Sequence, residues 1–354
     1  MTYFRKNINA MEGYTPGMQP KGGGWIKLNT NENPFPPSPK VLAAIKAAVN
    51  DDLRKYPDPM ATAVREKVAD AFGVEPDMVL CGNGSDELLT MIVRAFAGER
   101  DLIVAPYPTY SLYTTLAEIQ GARFESIDFE EDYSLPGNFA RPKAKITFVP
   151  NPNSPSGTVV GKDVLRDLSK KLKGILVIDE AYVDFAESDC LDLVQERDNV
   201  IVLRSFSKSF SLAGMRVGLG FAKKEIIDGL VKVKDSYNVN RIFIAAATAA
   251  LDDRAYVRAN AETIRKNRAY LTGRLEEIGA YVWPSESNFV LARFSPPVSA
   301  ERLFEELEAR KILVRYFKRR RLEDCLRITV GTREEIDALM SAMTELVESK
   351  AVVV

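Results

Sequence analysis

The chain has 354 residues, 46% hydrophobic and 27% charged, enough for a large core and more than one domain. With 48 basic against 49 acidic residues the net charge is −1, which gives no electrostatic footprint for nucleic acid, and no run of 18 apolar residues is available to cross a membrane. Histidine is absent, which excludes imidazole acid–base catalysis, histidine triads and histidine zinc sites, and no metal site is expected.

Residues 1–37 read as an irregular N-terminal arm, because KGGGW at 21–25 and NENPFPPSP at 31–39 are rich in glycine and proline. The opening MTYFRKNINAMEGY has no apolar signal core. The three cysteines, Cys81, Cys190 and Cys325, are far apart and odd in number, which argues against a disulfide framework. Both observations point to the cytoplasm. A helix is expected at roughly 38–50, entered through Ser38 and Pro39.

From about 56 to 255 apolar strands alternate with helices. Strands are expected at 78–82, 101–105, 145–150, 175–180, 200–205 and 217–222, with helices after GNGSDE and PYPTY and an amphipathic helix at 162–173. This pattern predicts an α/β fold whose mostly parallel sheet is covered on both faces. From about 256 a long helix to about 279, FVLARF, a helix at 300–310, ILVRYF, LRITVG and a helix at 333–349 suggest a smaller α+β unit. The expected division is an arm at 1–37, a large domain at 38–255 and a small domain at 256–354, with the 38–55 helix also able to pack on the small one.

Ligands of an open α/β sheet bind outside the carboxyl ends of its strands. GNGSDE at 82–87 runs glycine-rich backbone into a helix, which makes either an anion site or a plain turn capped by Ser85 or Asp86. NPNSPSG at 151–157 is a polar turn. Asp179 ends a buried run, a costly place for a carboxylate unless it caps a helix or pairs with a cation. In SFSKSFSLAGMRVG at 205–218, Lys208 sits among Ser205, Ser207, Ser209 and Ser211, with Arg216 following. Alone, Lys208 reads as a surface charge. Together, an anion cradle, a carboxylate and a lysine at one sheet edge suit a cofactor with a phosphate, a basic ring nitrogen and an aldehyde, namely pyridoxal 5'-phosphate. The basic run KRRR at 318–321 is read as a solvated loop, or second as a contact for a phosphate-bearing partner.

These segments carry a resemblance. With LNTNENP at 28–34, KYPDP at 55–59, PTY at 108–110, IDEAY at 178–182 and LRITVGT at 326–332, the sequence resembles the class I and II, fold-type I aminotransferases over nearly its whole length. Within them it is most similar to the histidinol-phosphate branch. The resemblance implies a seven-stranded sheet sandwiched by helices, pyridoxal phosphate as cofactor, and a homodimer with shared active sites. It also implies amino transfer between L-histidinol phosphate and 2-oxoglutarate in histidine biosynthesis. By the same resemblance Lys208 bonds the cofactor and then moves the proton. Asp179 pairs with the ring nitrogen, Tyr182 with the ring oxygen, and Tyr110 stacks on the ring. Ser85, Asp86, Glu87, Ser205, Ser207 and Arg216 hold the phosphate or its surroundings, and Tyr56 reaches the phosphate of the neighbouring subunit. Arg315 and Arg327 bind the substrate's acidic group, with Tyr14 and Asn31 nearby. One departure stands out: Ser154 occupies the place where the family has asparagine, so the ring-oxygen contact falls either to Asn153, through a local shift, or to Ser154 itself. An aromatic aminotransferase, a threonine-phosphate decarboxylase and a regulatory protein on the same scaffold are the alternatives. The regulator would need a DNA-binding segment, for which the arm leaves no room.

Overall fold

Short apolar runs bounded by turn residues build the centre of the molecule. In the computed structural model, which describes residues 3–13 and 17–353, seven strands form one sheet. They are β1 (Val79–Asn83), β2 (Leu102–Tyr107), β3 (Arg123–Asp128), β4 (Ile146–Pro150), β5 (Ile175–Asp179), β6 (Val200–Ser205) and β7 (Val217–Phe221). Their order is β1-β7-β6-β5-β4-β2-β3. β7 is antiparallel to β1 and β6, and the other pairings are parallel. The carboxyl ends of β1, β2, β4, β5 and β6 therefore share one edge, and β7 starts from it. β4, β6 and β7 are buried along their whole length, as strands covered on both faces must be.

β3 is the strand that the apolar runs do not mark. Its sequence RFESID is exposed or half-buried throughout, because it closes the sheet at an edge. The helix Pro39–Ala48 is entered as expected, the Ser38 side chain accepting from Lys40 N–H at 3.1 Å. It packs on the helix Arg241–Leu251, and its Val41 joins the core that holds Phe243 and Ala247 beneath the large sheet.

The second sheet is small and antiparallel. It comprises β8 (Tyr281–Val282), β9 (Phe289–Arg293), β10 (Arg315–Tyr316) and β11 (Cys325–Thr329), in the order β10-β11-β9-β8. The helices Arg254–Glu277, Ala300–Ala309 and Arg333–Glu348 contribute to its core, where Val290 and Ile328 meet Ile264, Leu303 and Leu339. Thr332 and Glu335 cap the last helix reciprocally.

The N-terminal segment is more ordered than its glycine content predicts. Lys6–Ala10 is a short helix, tied to the helix Leu112–Gln120 by Arg5 and Asn7 side chains donating to the Ile119 and Glu118 carbonyls. Ile26–Lys27 pairs in parallel with Ile312–Leu313, so the arm crosses to the C-terminal part of the chain before the large sheet begins. The three cysteines are buried and unpaired. Among the described residues no helix is long and apolar enough to cross a membrane, and no cluster of metal-ligating side chains occurs.

Candidate active site

A cleft of about 860 Å³ opens at the shared strand edge, between the two sheets. Its floor is an anion cradle. Gly84, between β1 and the helix Ser85–Phe96, has φ +80°, and a Cβ there would collide with the Arg216 guanidinium. A Cβ on Gly218 would likewise strike the Gly84 backbone. Only glycine at both places lets the turn and the arginine approach this closely. Arg216 itself is left-handed, with φ 55°, a strained backbone that aims its side chain into the cleft. Its guanidinium donates to Ser207 Oγ at 3.3 Å and to Asp86 Oδ2 at 3.0 Å. Ser205 Oγ donates to Ser207 Oγ at 2.9 Å, and Tyr110 Oη to Asp86 Oδ1 at 3.2 Å. A helix N-terminus, hydroxyls and a guanidinium thus converge.

Asp179, the last residue of β5, is 5% exposed. It accepts from Tyr113 Oη at 2.8 Å and from Ala181 N–H at 3.3 Å, and among the described residues no salt bridge reaches it. Burial pushes its carboxyl up to about 6; Asp86 adds to this, while the two donors oppose it. Lys208 lies in the turn after β6 and donates to the Thr30 carbonyl at 3.1 Å. Desolvation in the cleft pushes its ammonium down to about 8. Arg327 and Arg216 help, and Glu32 and Asp86 oppose. Asn33 donates to the carbonyls of Lys208 and Ser209 at 2.9 and 3.1 Å, and Ser209 Oγ bonds Asp184, so the lysine turn is held from both sides. Tyr182 Oη accepts from Asn31 Nδ2 at 3.0 Å, and the Tyr182 ring lies 5.8 Å from Lys208 Nζ. Burial holds the Tyr182 phenol above its ordinary range.

Arg315 and Arg327 form the far wall. They are register partners across β10 and β11, and both guanidiniums lie over the Phe317 ring, at 5.2 and 5.4 Å. Arg327 also donates to Ser154 Oγ at 3.1 Å and to the Asn29 carbonyl at 2.8 Å. Like charges directly opposite each other in a sheet are unfavourable, and an anion between them removes that penalty.

The structure thus brings Ser85, Asp86, Tyr110, Asp179, Tyr182, Ser205, Ser207, Lys208, Arg216, Arg315, Arg327 and Asn31 to one cleft. Three expected residues lie elsewhere. The Asn153 amide donates to Ser156 Oγ at 2.8 Å and to the Pro108 carbonyl at 3.3 Å, and its oxygen accepts from Thr109 Oγ1 at 3.0 Å. Asn153 therefore organises its own turn, and Ser154 faces the cleft instead. The Glu87 carboxylate turns back to Asn83 N–H at 2.6 Å and Asn238 Nδ2 at 2.8 Å, serving the turn rather than the cradle. Tyr56 is exposed and stacked on Tyr237 at 4.4 Å, away from the cleft of its own chain. Tyr14 lies outside the described residues. Thr30, Asn33, Tyr113 and Phe317 were not singled out from sequence. Asn33 sits inside the NENP stretch, whereas Tyr113 and Phe317 read as ordinary apolar positions.

Residues 23–343 match the family model described as aminotransferase class I and II. The chain belongs to this family. Similar proteins include histidinol-phosphate aminotransferase 1 of Nostoc sp. (strain PCC 7120), 48% identical over 98% of this chain and 99% of that protein. The histidinol-phosphate aminotransferase of Geobacter sp. (strain M21) is 46% identical over 98% and 99%. Among solved structures, the histidinol-phosphate aminotransferase from Sinorhizobium meliloti, in complex with pyridoxal-5'-phosphate, aligns with a TM-score of 0.90 at 26% identity, covering 99% of each chain. Aminotransferases of this family use pyridoxal phosphate. The cleft of this one fits that group: the glycines let Arg216 and the turn close on a helix N-terminus as an anion cradle, Asp179 is a buried carboxylate without an ion pair among the described residues, and Lys208 has a softened ammonium.

Proposed function

We propose that this aminotransferase moves the amino group of L-histidinol phosphate to 2-oxoglutarate, giving imidazole-acetol phosphate and L-glutamate in histidine biosynthesis. The observation that carries the reading is the face-to-face pair Arg315 and Arg327, opening on the same cleft as Lys208. A guanidinium fork accepts a phosphate or a carboxylate equally well, so one pair serves both the amino donor and the oxo acid. The relatives at 46–48% identity support the same substrate.

Bound pyridoxal phosphate supplies an aldehyde that condenses with amines and a ring that withdraws electrons. Ser85, Ser205, Ser207 and Arg216 would hold the phosphate, with Asp86 keeping Arg216 in place. Asp179 would hold the proton of the ring nitrogen, Tyr182 and Ser154 would bind the ring oxygen, and Tyr110 would pack on the ring. Lys208 Nζ, with an ammonium near 8, gives up and retakes a proton at neutral pH and so moves it at the substrate carbon. Asn31 orients Tyr182, and Arg327 and Arg315 orient the substrate anion.

Tyr56, off its own cleft, reaches the cradle of a second copy in this reading, which makes the working enzyme a homodimer of the cytoplasm. The free, buried cysteines agree with a reducing compartment.

A panel of amino donors with 2-oxoglutarate tests the substrate. Histidinol phosphate is expected to give the highest kcat/KM. A higher value for an aromatic amino acid, or carbon dioxide release from threonine phosphate, would replace the reading. Mixing Lys208→Ala with Tyr56→Phe subunits tests the sharing. If Tyr56 acts across subunits, one site of each heterodimer is intact and activity rises above both parents. With verified exchange and an impaired Tyr56→Phe parent, a flat result places Tyr56 with its own subunit.

A further inference from the structure

Neither the motifs nor the family resemblance assigns Tyr113 a role. It is fully buried on the helix Leu112–Gln120, stacked on Phe148 at 4.5 Å and edge-on to Tyr110 at 5.6 Å. Its hydroxyl donates to Asp179 Oδ2 at 2.8 Å. The two residues are 66 positions apart and meet because this helix begins just after the carboxyl end of β2, at the same sheet edge where β5 ends. We infer that Tyr113 is a positioning residue for the cofactor, its hydroxyl holding the Asp179 carboxylate ionised and fixing one oxygen so that the other faces the ring nitrogen. The inference rests on the reading that Asp179 pairs with that nitrogen.

A buried carboxylate that must stay charged needs help. Burial and Asp86 both favour its neutral form, whereas a hydrogen bond donated to the carboxylate favours the charged one. A cation in the same place would satisfy Asp179 but would repel the protonated ring nitrogen. A phenol stabilises the anion without adding charge, and in a chain without histidine it is a neutral donor of the right reach. Burial and the neighbouring carboxylate raise Tyr113 well above its ordinary range, so it remains a donor at any working pH. The titratable groups facing Asp179 are Tyr113 from one helix, Asp86 from the helix Ser85–Phe96 and Tyr182 from the turn after β5. Tyr110 faces Tyr113, and Lys208 and Arg216 line the same cleft.

Tyr113→Phe keeps both ring contacts and deletes one oxygen. The affinity of the cofactor-stripped full chain for pyridoxal phosphate, followed by intrinsic fluorescence from pH 6 to 9, reads the effect. The dissociation constant is expected to rise roughly tenfold near neutral pH, the worth of one hydrogen bond to a charged group. The gap should close toward pH 9, where Asp179 ionises unaided. An unchanged constant, or a loss that does not vary with pH, would overturn the inference and leave Tyr113 a packing residue. Asp179→Asn, measured alongside, separates the two readings. If it binds as the parent does, the role of Asp179 fails and the inference with it. If it binds weakly while Tyr113→Phe binds normally, only the inference fails. In the double variant the Tyr113 change is expected to add nothing further.

Discussion

Asp179 and Glu180 are chain neighbours, 5% and 1% exposed, at the end of the same strand, and they meet opposite surroundings. Glu180 accepts from Arg204 at 3.0 Å, and Arg204 reaches Asp189 at 3.2 Å while lying over the Phe72 and Phe221 rings. Burial still pushes the Glu180 carboxyl up to about 7, but Arg204 opposes this and Asp189, at the solvent rim, gives the guanidinium a second partner. Asp179, on the cleft side, has a phenol and an amide as donors. Burial is common to both carboxylates, so burial alone does not mark chemistry. The difference lies in charge compensation. A buried acid with a cation partner belongs to the fold, whereas one with only neutral donors is left able to meet a cation that arrives from outside.

Breaking the cleft side should abolish chemistry and spare the fold. Lys208→Ala is expected to lower turnover by about 10⁴-fold without lowering the unfolding midpoint of the cofactor-free protein, since no other lysine amine is held in this turn. Steady-state assays beside urea unfolding check both halves.

Asp179→Asn should lower turnover by roughly 10²–10³-fold, the usual loss for one charge aimed at the reacting group. It should also stabilise the cofactor-free protein. The folded carboxyl, at about 6, lies above its ordinary 3.8, so the native state holds the proton more tightly and loses stability as pH rises through that window. The gain in the variant is therefore expected to grow from pH 4 to 6 and stay level above, at on the order of 1–3 kcal/mol. Urea unfolding at several pH values reads it, and a variant less stable than its parent at pH 8 would contradict the contrast.

Glu180→Gln should do the reverse. At pH 8, where the Glu180 carboxyl is ionised, removing this partner of Arg204 is expected to cost about 3 kcal/mol, less whatever Asp189 recovers, while the folded fraction keeps most of its turnover. If Glu180→Gln silences turnover without loosening the fold, the two acids have been assigned to the wrong sides.

The smallest effect concerns the arginine pair. Inorganic phosphate added to the holoenzyme should raise its Tm by the equivalent of about 1 kcal/mol, and Arg315→Gln should remove much of that rise. An equal rise in the variant would place the anion elsewhere.

Much of this was legible in the chain. Parallel strands send their carboxyl ends to one edge, so GNGSDE, DEAY and SFSK could be placed together from their strand positions alone. β3 was hidden because an edge strand with polar residues lacks the apolar run. Tyr113 was hidden because its one polar atom is spent on a residue 66 positions away, while its ring reads as core. Asn153 misled because two adjacent polar residues in one turn give no sign of which faces the cleft; the local network with Thr109 and Ser156 decides it. The KRRR run is a solvated loop, as its charge density suggests, with Lys318, Arg319 and Arg320 exposed. It is also anchored: Arg320 pairs with Asp128, and Arg321 donates to the Phe129 and Glu130 carbonyls, which ties the small sheet's loop to the end of β3.

Reduction of the holoenzyme with borohydride, followed by peptide mass mapping, tests the centre of this picture most directly. The cofactor is expected as a fixed adduct on Lys208, in the peptide that carries SFSK. An adduct on another lysine, Lys318 at the cleft wall for instance, would contradict the assignment of the site.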